Sequence, residues 1–304
     1  MRRKIPSLQA LACFDAAARH ESYTRAAQEL ALTQSAVSRQ ITGLENYLGQ
    51  ALFRRTRHGV ALTERGSDYA RQIAPRLQGL ERDTLEAMSG HGALQTLQLA
   101  AVPTFASRWL IPRLPLLARA HPELVVHIET RTRPFLFADT DVDAALYAGT
   151  PQQILNWAGT RSTLLLQEDL VPVCAPSLMS AGRMCTPAEL SDMPLLQQST
   201  RPQAWRQWFQ TAEVPAPLAL AGPRYELFSM TVAAAVHAMG VALLPRLLIE
   251  PELAGGQLVQ ACGHVLPAMR GYYLVTPESG ENKPALGQFQ AWLQRQANAA
   301  TNQR

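Results

Sequence analysis

No run of about 18 apolar residues occurs in the 304-residue chain, which excludes a membrane-spanning helix. The start, Met1-Arg2-Arg3-Lys4-Ile5-Pro6, is basic like a secretion signal, but Asp15 and Arg19 interrupt the stretch that follows. A cytoplasmic protein is expected. Cysteine is scarce, at 13, 174, 185 and 262 only. None forms a CxxC pair and none has a histidine at zinc spacing, which argues against a metal site. Cys174 and Cys185 are near enough in sequence for a redox pair, but reduced and partly buried thiols are the favoured reading. The GxSxG, HExxH, GxGxxG and phosphate-loop patterns are absent. Neither an enzyme nor a cofactor is expected.

Hydrophobic content of 47% with 17% charged residues fits a folded chain, and its length suits two or three folding units. The charge is unevenly placed. Residues 1–65 hold 10 Lys and Arg against 5 Asp and Glu, whereas the rest hold 18 against 19. A small basic module attached to a near-neutral larger part suggests nucleic-acid binding by the first segment.

Within that segment, Ser7 is a plausible cap for a helix carrying Leu8, Leu11, Ala12, Phe14 and Ala18, which runs to about His20. A short second helix over residues 24–30 and a tight turn at Ala31-Leu32 follow. Thr33 then caps a third helix with Val37, Ile41, Leu44 and Leu48 on one face, and Gly49 ends it. This reads as a helix-turn-helix, whose second helix enters the major groove by its leading turns. Gln34, Ser35, Ser38 and Arg39 occupy those turns. Gln can read an adenine edge and Arg a guanine edge. Two short extended runs around a Gly59 turn then read as a hairpin wing, with Arg54, Arg55 and Arg57 available to phosphates or the minor groove. A merely solvated arginine loop is the competing reading.

The ordered stretch Tyr23-Thr24-Arg25-Ala26-Ala27-Gln28-Glu29-Leu30-Ala31-Leu32-Thr33-Gln34-Ser35-Ala36-Val37-Ser38-Arg39-Gln40-Ile41 is followed by Leu44-Glu45, Leu48-Gly49, Leu52-Phe53-Arg54-Arg55 and Leu62-Thr63-Glu64-Arg65-Gly66. Together these closely resemble the signature of the LysR-type transcriptional regulators. The resemblance implies a bacterial winged helix-turn-helix bound to double-stranded promoter DNA, with Thr33, Gln34, Ser35, Ser38 and Arg39 near bases and phosphates. It also implies a homodimer or homotetramer that acts on RNA polymerase.

Residues 63–88 read as one long helix, with Tyr69, Ile73, Leu77, Leu80, Leu85 and Met88 as an apolar stripe and Pro75 as a bend. Such a stripe is covered either by the same helix of a second chain or by the chain's own C-terminal part. The resemblance implies the former. Residues 89–92, Ser-Gly-His-Gly, read as a hinge, with His91 solvated. The expected division is a DNA-binding domain over 1–65, a dimerising linker and hinge over 66–92, and an effector domain over 93–304.

That last part opens β-α-β: a strand at Leu97 and Leu99, a helix over 107–120, and a strand at 124–128. Further strands are expected at 142–147, 170–174, 241–244 and 271–275. Helices are expected around Trp205, Trp208 and Phe209, over 228–239, and over 284–296. The pattern resembles the LysR-type effector domain, itself similar to periplasmic binding proteins. Its first lobe would comprise 93–165 and 270–304, its second 166–269. A ligand between the lobes would meet Thr104, Phe105, Arg131, Arg133, Ser199, Thr200, Phe228 and Ser229. Helix N-termini plus arginine suit a small anionic or zwitterionic effector. Trp109-Leu110-Ile111-Pro112-Arg113-Leu114, Glu168-Asp169-Leu170-Val171-Pro172-Val173-Cys174 and Gly240-Val241-Ala242-Leu243-Leu244-Pro245 resemble the branch of glycine-cleavage activators and β-lactamase regulators. That likeness implies an amino acid, small organic acid or cell-wall peptide as effector. Leu136 and Leu146-Tyr147 depart from the branch pattern. The resemblance is strong over the first 66 residues and looser after them. Among the remaining polar residues, His237 reads as a hydrogen-bonded core histidine. Asp139, Asp141 and Asp143 lie on one face of an extended loop that solvation explains better than a cation.

Overall fold

In the computed structural model, residues 5–57, 59–88, 95–179, 183–267, 269–278 and 283–302 are described. The expected hinge at 89–92 and the wing residue His58 lie outside them. Two compact units form: residues 1–93 with 137–141, and 94–136 with 142–304.

In the first unit each early helix has a side-chain cap. Helix α1 (Leu8–His20) begins where the Ala10 amide donates to Ser7 Oγ (3.2 Å). Helix α2 (Tyr23–Glu29) has Ser22, and α3 (Gln34–Leu48) has Thr33, whose Oγ1 accepts from the Ala36 amide at 3.2 Å. Gly49 stops α3 at φ 68°, a conformation that costs glycine nothing. Val37, Ile41 and Leu44, one face of α3, are buried against Cys13, Phe14, Ala17 and Ala26. Each such aliphatic burial contributes about 1.5–3 kcal/mol.

Strands β1 (Phe53–Thr56) and β2 (Gly59–Leu62) form an antiparallel hairpin, pairing Arg54 with Ala61 and Arg55 with Val60. Phe53 anchors it, with its ring 5.6 Å from both Phe14 and Tyr23. Helix α4 (Glu64–Met88) then runs as one element through Pro75. Its first turn lies so close to the hairpin that a Cβ at Gly66 would be 2.0 Å from the Leu52 carbonyl oxygen. On α4, Leu80, Leu85 and Met88 are exposed.

The second unit holds two five-stranded mixed sheets. The first begins with β3 (Gln95–Ala101), then α5 (Pro103–Phe105), α6 (Leu114–Ala120), β4 (Leu124–Thr130), β5 (Ala144–Gly149), α7 (Pro151–Leu155) and β6 (Thr160–Gln167). The chain crosses to the second sheet with β7 (Leu170–Cys174), α8 (Pro187–Leu190), β8 (Leu195–Gln198), α9 (Ala204–Thr211) and β9 (Arg224–Tyr225). There follow α10 (Phe228–Val236), β10 (Val241–Pro245), α11 (Glu250–Ala254) and β11 (Val259–Gln260). It returns through β12 (Gly271–Pro277) and ends in α12 (Pro284–Asn302). The sheet orders are β4-β3-β5-β12-β6 and β11-β7-β10-β8-β9. At the crossings the Glu168 amide donates to the Arg270 carbonyl (3.0 Å).

The helix expected over 107–120 is broken. Helix α5 starts earlier, at Pro103; Ala106–Leu110 is a π turn and Ile111–Arg113 a 3-10 turn before α6 begins. Pro112 lies at the start of the 3-10 turn and Pro115 in the first turn of α6, places where a missing amide is tolerated and a new helical segment begins. The helix expected over 228–239 ends at Val236. His237, its C-cap, is exposed; the reading of a core histidine fails because position 237 falls on the outward face of α10 with exposed Met230 and Ala233. Asp143 is buried, accepting from the Gln98 amide (2.9 Å) and paired with Lys283 (2.6 Å), while Asp139 and Asp141 are exposed. All four cysteines are free thiols.

Candidate DNA interface and effector cavity

Thr33, Gln34, Ser35 and Arg39 are exposed at the leading end of α3, and Ser38 is half-buried behind them. Thr33 and Ser35 are linked by a 3.1 Å hydrogen bond between hydroxyls, so the cap residue also orients the next polar side chain. Arg54, Arg55 and Arg57 are exposed on the hairpin. Adjacent strand residues point to opposite faces, so Arg54 and Arg55 cannot both face one surface. Arg55 shares the face of Phe53, towards Tyr23. Burial, reinforced by Glu45 and opposed by Arg55, pushes the Tyr23 hydroxyl up to about 12.

Glu45, on α3, ties the helix to the hairpin: its Oε1 accepts from the Leu52 and Phe53 amides at 2.8 and 3.1 Å. Behind α3, Glu29 at the end of α2 accepts from Arg19 through both carboxylate oxygens and contacts His20 at 2.6 Å. Arg19 and His20 hold the Glu29 carboxyl down at about 2.

In the second unit a cavity of about 270 Å³ opens beyond the C-terminal ends of β3, β8 and β9, as ligand sites in such sheets do. Thr104, Phe105, Thr200 and Phe228 line it. Thr104 Oγ1 accepts from the Ser229 amide (3.3 Å), joining the helix after β3 to the helix after β9. Phe105 stacks between Trp109 (4.9 Å) and Tyr272 (4.2 Å), which fixes that wall.

Four expected lining residues are absent from the lining. Arg131 and Arg133 flank Thr132, which does line the cavity. The chain there is still extended, since the Arg131 amide donates to the Ala101 carbonyl, so alternate side chains point away. Arg131 instead pairs with Glu129 (2.5 Å) and lies over the Phe135 ring (4.7 Å), while Arg133 is exposed. Ser199 fails for the same reason: Gln198 and Thr200 face the cavity, and Ser199 lies between them. Ser229 contributes its amide to Thr104 rather than its side chain to the lining.

The cations that do line the cavity are Arg201 and Arg270. Arg201 Nη2 donates to both oxygens of Glu168 (3.0 and 3.2 Å), whose side chain is 1% exposed. Arg270 Nη2 donates to the Ala148 carbonyl (2.9 Å). Burial, with Arg201 adding repulsion, lowers Arg270 below the ordinary guanidinium value, and burial pushes the Tyr272 hydroxyl well up. The Nε atoms of Arg201 and Arg270 are buried and have no hydrogen-bond partner. A buried donor left in that state costs about 1–3 kcal/mol. Sequence reasoning missed Arg201, Arg270 and Tyr272. Arg201 is next to the chosen Ser199-Thr200 pair. The other two lie at the return crossing, a segment that only the fold identifies as cavity wall.

These features define a two-part molecule: a winged helix-turn-helix and a two-sheet ligand-binding unit. Residues 8–67 match the family described as "Bacterial regulatory helix-turn-helix protein, lysR family", and residues 90–298 match "LysR substrate binding domain". The chain belongs to the LysR family of transcriptional regulators and is not an enzyme. It is 36% identical over 302 residues to the glycine cleavage system transcriptional activator of Escherichia coli K12, covering 98% of this chain and 96% of that one. It is 34% identical to the transcriptional activator AmpR of Rhodobacter capsulatus, covering 95% and 97%. The effector domain of AmpR from Pseudomonas aeruginosa superposes with a TM-score of 0.61 at 27% identity, covering 69% of this chain and 99% of that one. The sequence resemblance to the branch of these two activators is thereby established. Among the described residues, no helix is long and apolar enough to cross a membrane.

Proposed function

We propose that this regulator grips promoter DNA with Thr33, Gln34, Ser35, Ser38 and Arg39 of α3, and with Arg54, Arg55 and Arg57 of the wing. The observation that carries this reading is the exposed polar leading edge of α3 together with three exposed wing arginines. Residues 1–65 act as the DNA-binding domain, 66–92 as linker and 93–304 as effector domain, in the cytoplasm. Two chains pair through α4, whose Leu80, Leu85 and Met88 offer an apolar stripe, and pairs associate further into a tetramer.

The effector is a small anion or zwitterion, an amino acid or small organic acid, held in the cavity lined by Thr104, Phe105, Thr200 and Phe228. Arg201 and Arg270 take the role first assigned to Arg131 and Arg133, which supports an acidic group on the ligand. Ligand binding alters the relation of the two sheets, and through it DNA bending and recruitment of RNA polymerase. DNA and effector then change each other's affinity by equal factors.

The test has two arms. Fluorescence anisotropy on duplexes from the gene's own upstream region is expected to show specific binding that Arg39→Ala weakens more than it weakens non-specific binding. Thermal-shift screening with amino acids and organic acids is expected to find a stabilising ligand whose shift Thr104→Val removes without loss of DNA binding. A protein indifferent to its upstream duplexes in dilute buffer refutes the DNA arm. An unchanged shift in Thr104→Val refutes the effector arm.

A further inference from the structure

A second cavity, of about 190 Å³, adjoins the first. The two share Thr200, Arg201 and Arg270 and otherwise have different walls. Thr104, Phe105, Thr132 and Phe228 line only the first; Glu168, Gln203, Gln207 and Leu266 line only the second.

The second cavity is chemically two-ended. Leu170, Leu266 and Met269 supply an apolar end. The polar end has Arg201 and Arg270, and helix α9 begins there. Its N-cap, Gln203, makes no side-chain bond to the helix, and the Ala204 amide donates to the Arg201 carbonyl (3.0 Å), so the helix start contributes its dipole rather than a free first amide. The charge count is decisive. In the second cavity Glu168 is the one carboxylate among the described lining residues to face the two guanidinium groups, and both of its oxygens already accept from Arg201; the first cavity adds Glu226, which is exposed. Arg270, whose Nη2 donates to the Ala148 carbonyl, is the cation left for a ligand carboxylate in the second cavity.

We infer that this second cavity is a separate ligand site for a small amphipathic monocarboxylate, with its carboxylate at Arg201 and Arg270 and its apolar body against Leu170 and Leu266. Because Arg201 and Arg270 line both cavities, an acid in either weakens binding of an acid in the other, by the same factor in each direction. The second site is thus a negative input to the effector cavity.

The test uses the full chain, with butyrate as probe and calorimetric titration as readout. Thr132→Trp fills the effector cavity from an exposed position, and this variant is expected to bind one equivalent of butyrate. Gln203→Glu, in the same background, is expected to weaken that binding about threefold or more, and Gln203→Lys to tighten it. Gln203 is exposed and an acid suits a helix start, so loss of folding does not explain a weakening in Gln203→Glu. Gln207→Trp is expected to abolish binding. Loss of all butyrate binding in Thr132→Trp alone overturns the inference, as does indifference to the charge at 203 or absence of butyrate binding altogether. Failure of the effector arm above is read from Thr104→Val, a residue that does not line this cavity.

Discussion

Glu45 is placed to set how firmly the wing follows the recognition helix. It lies on α3, yet its Oε1 accepts from two amides of the segment entering β1, those of Leu52 and Phe53. Hydrogen bonds to a charged acceptor contribute about 1.5–3 kcal/mol each, and an amide left unpaired costs about 1–3 kcal/mol. Both bonds are only partly buried, so the lower half of these ranges applies. Glu45→Ala is expected to destabilise the first unit by about 2–4 kcal/mol, and Glu45→Gln, which keeps a neutral acceptor, by about 1 kcal/mol. Native-state hydrogen exchange reads this residue by residue. A loss of about 2 kcal/mol speeds exchange at the Leu52 and Phe53 amides by roughly 30-fold, while amides of β3 and β12 keep their rates. Loosening the wing is also expected to lower DNA affinity and make its salt dependence shallower. Unchanged exchange at both amides in Glu45→Ala, with an unchanged denaturation midpoint, would refute the reasoning.

Arg54→Ala is expected to flatten the salt dependence of DNA binding by about one unit of slope, and Arg55→Ala to change it less, because the two side chains leave opposite faces of β1; equal changes would show that both faces meet phosphate. Glu29 has a folded value of about 2 against an ordinary 4.5, so its stabilising effect is complete above about 4.5 and is lost as pH falls towards 2. Glu29→Gln is therefore expected to flatten the acid limb of an unfolding curve slightly, the pair being solvent-screened, and an unaltered limb counts against the clamp. Burial, with Cys185 nearby, pushes the Cys174 thiol up to about 11, so an alkylating reagent at pH 8 is expected to reach half-buried Cys185 first; rapid labelling of Cys174 in the native protein contradicts this.

The first unit was legible in the sequence because its signals are local. Ser7, Ser22 and Thr33 cap the helices they precede, Gly49 ends α3, and the 4-and-3 spacing of Val37, Ile41 and Leu44 marks the buried face. Strands β3, β4, β5, β7, β10 and β12 were legible too, being apolar runs of ordinary length, whereas β6, the longest at eight residues, was missed because most of it is exposed and its first four residues are polar. Strands β8, β9 and β11 were not legible either, since two to four residues give periodicity nothing to work on. The broken helix at 103–113 shows how proline can change helix type without interrupting a segment. The cavity was legible as a region and illegible as a residue set. Alternation along an extended chain decides whether 131, 132 or 133 faces the ligand, and that phase is fixed by pairing with β3 rather than by residue type.

The π turn has a consequence for how ligand contact can spread. Thr104 and Phe105 line the effector cavity, and the turn at Ala106–Leu110 follows immediately. It carries Arg108, whose Nη1 donates to Glu252 (2.7 Å) and to the Leu248 carbonyl (3.1 Å), both between β10 and β11 of the second sheet. One segment of seven residues, 104–110, therefore holds the second sheet's connections at two places: Ser229 through Thr104, and Glu252 through Arg108. The stacked rings of Tyr272, Phe105 and Trp109 stiffen the span between them. A mostly buried ion pair adds little net stability compared with an apolar contact, because desolvation offsets most of the attraction. It does penalise any arrangement in which its partners are drawn apart, since each charge would then be left unmatched in a dry setting. Arg108 and Glu252 thus favour one relative setting of the two sheets over its neighbours. A displacement of Thr104 is therefore opposed at two places at once, by the bond from the Ser229 amide and by the Arg108–Glu252 pair.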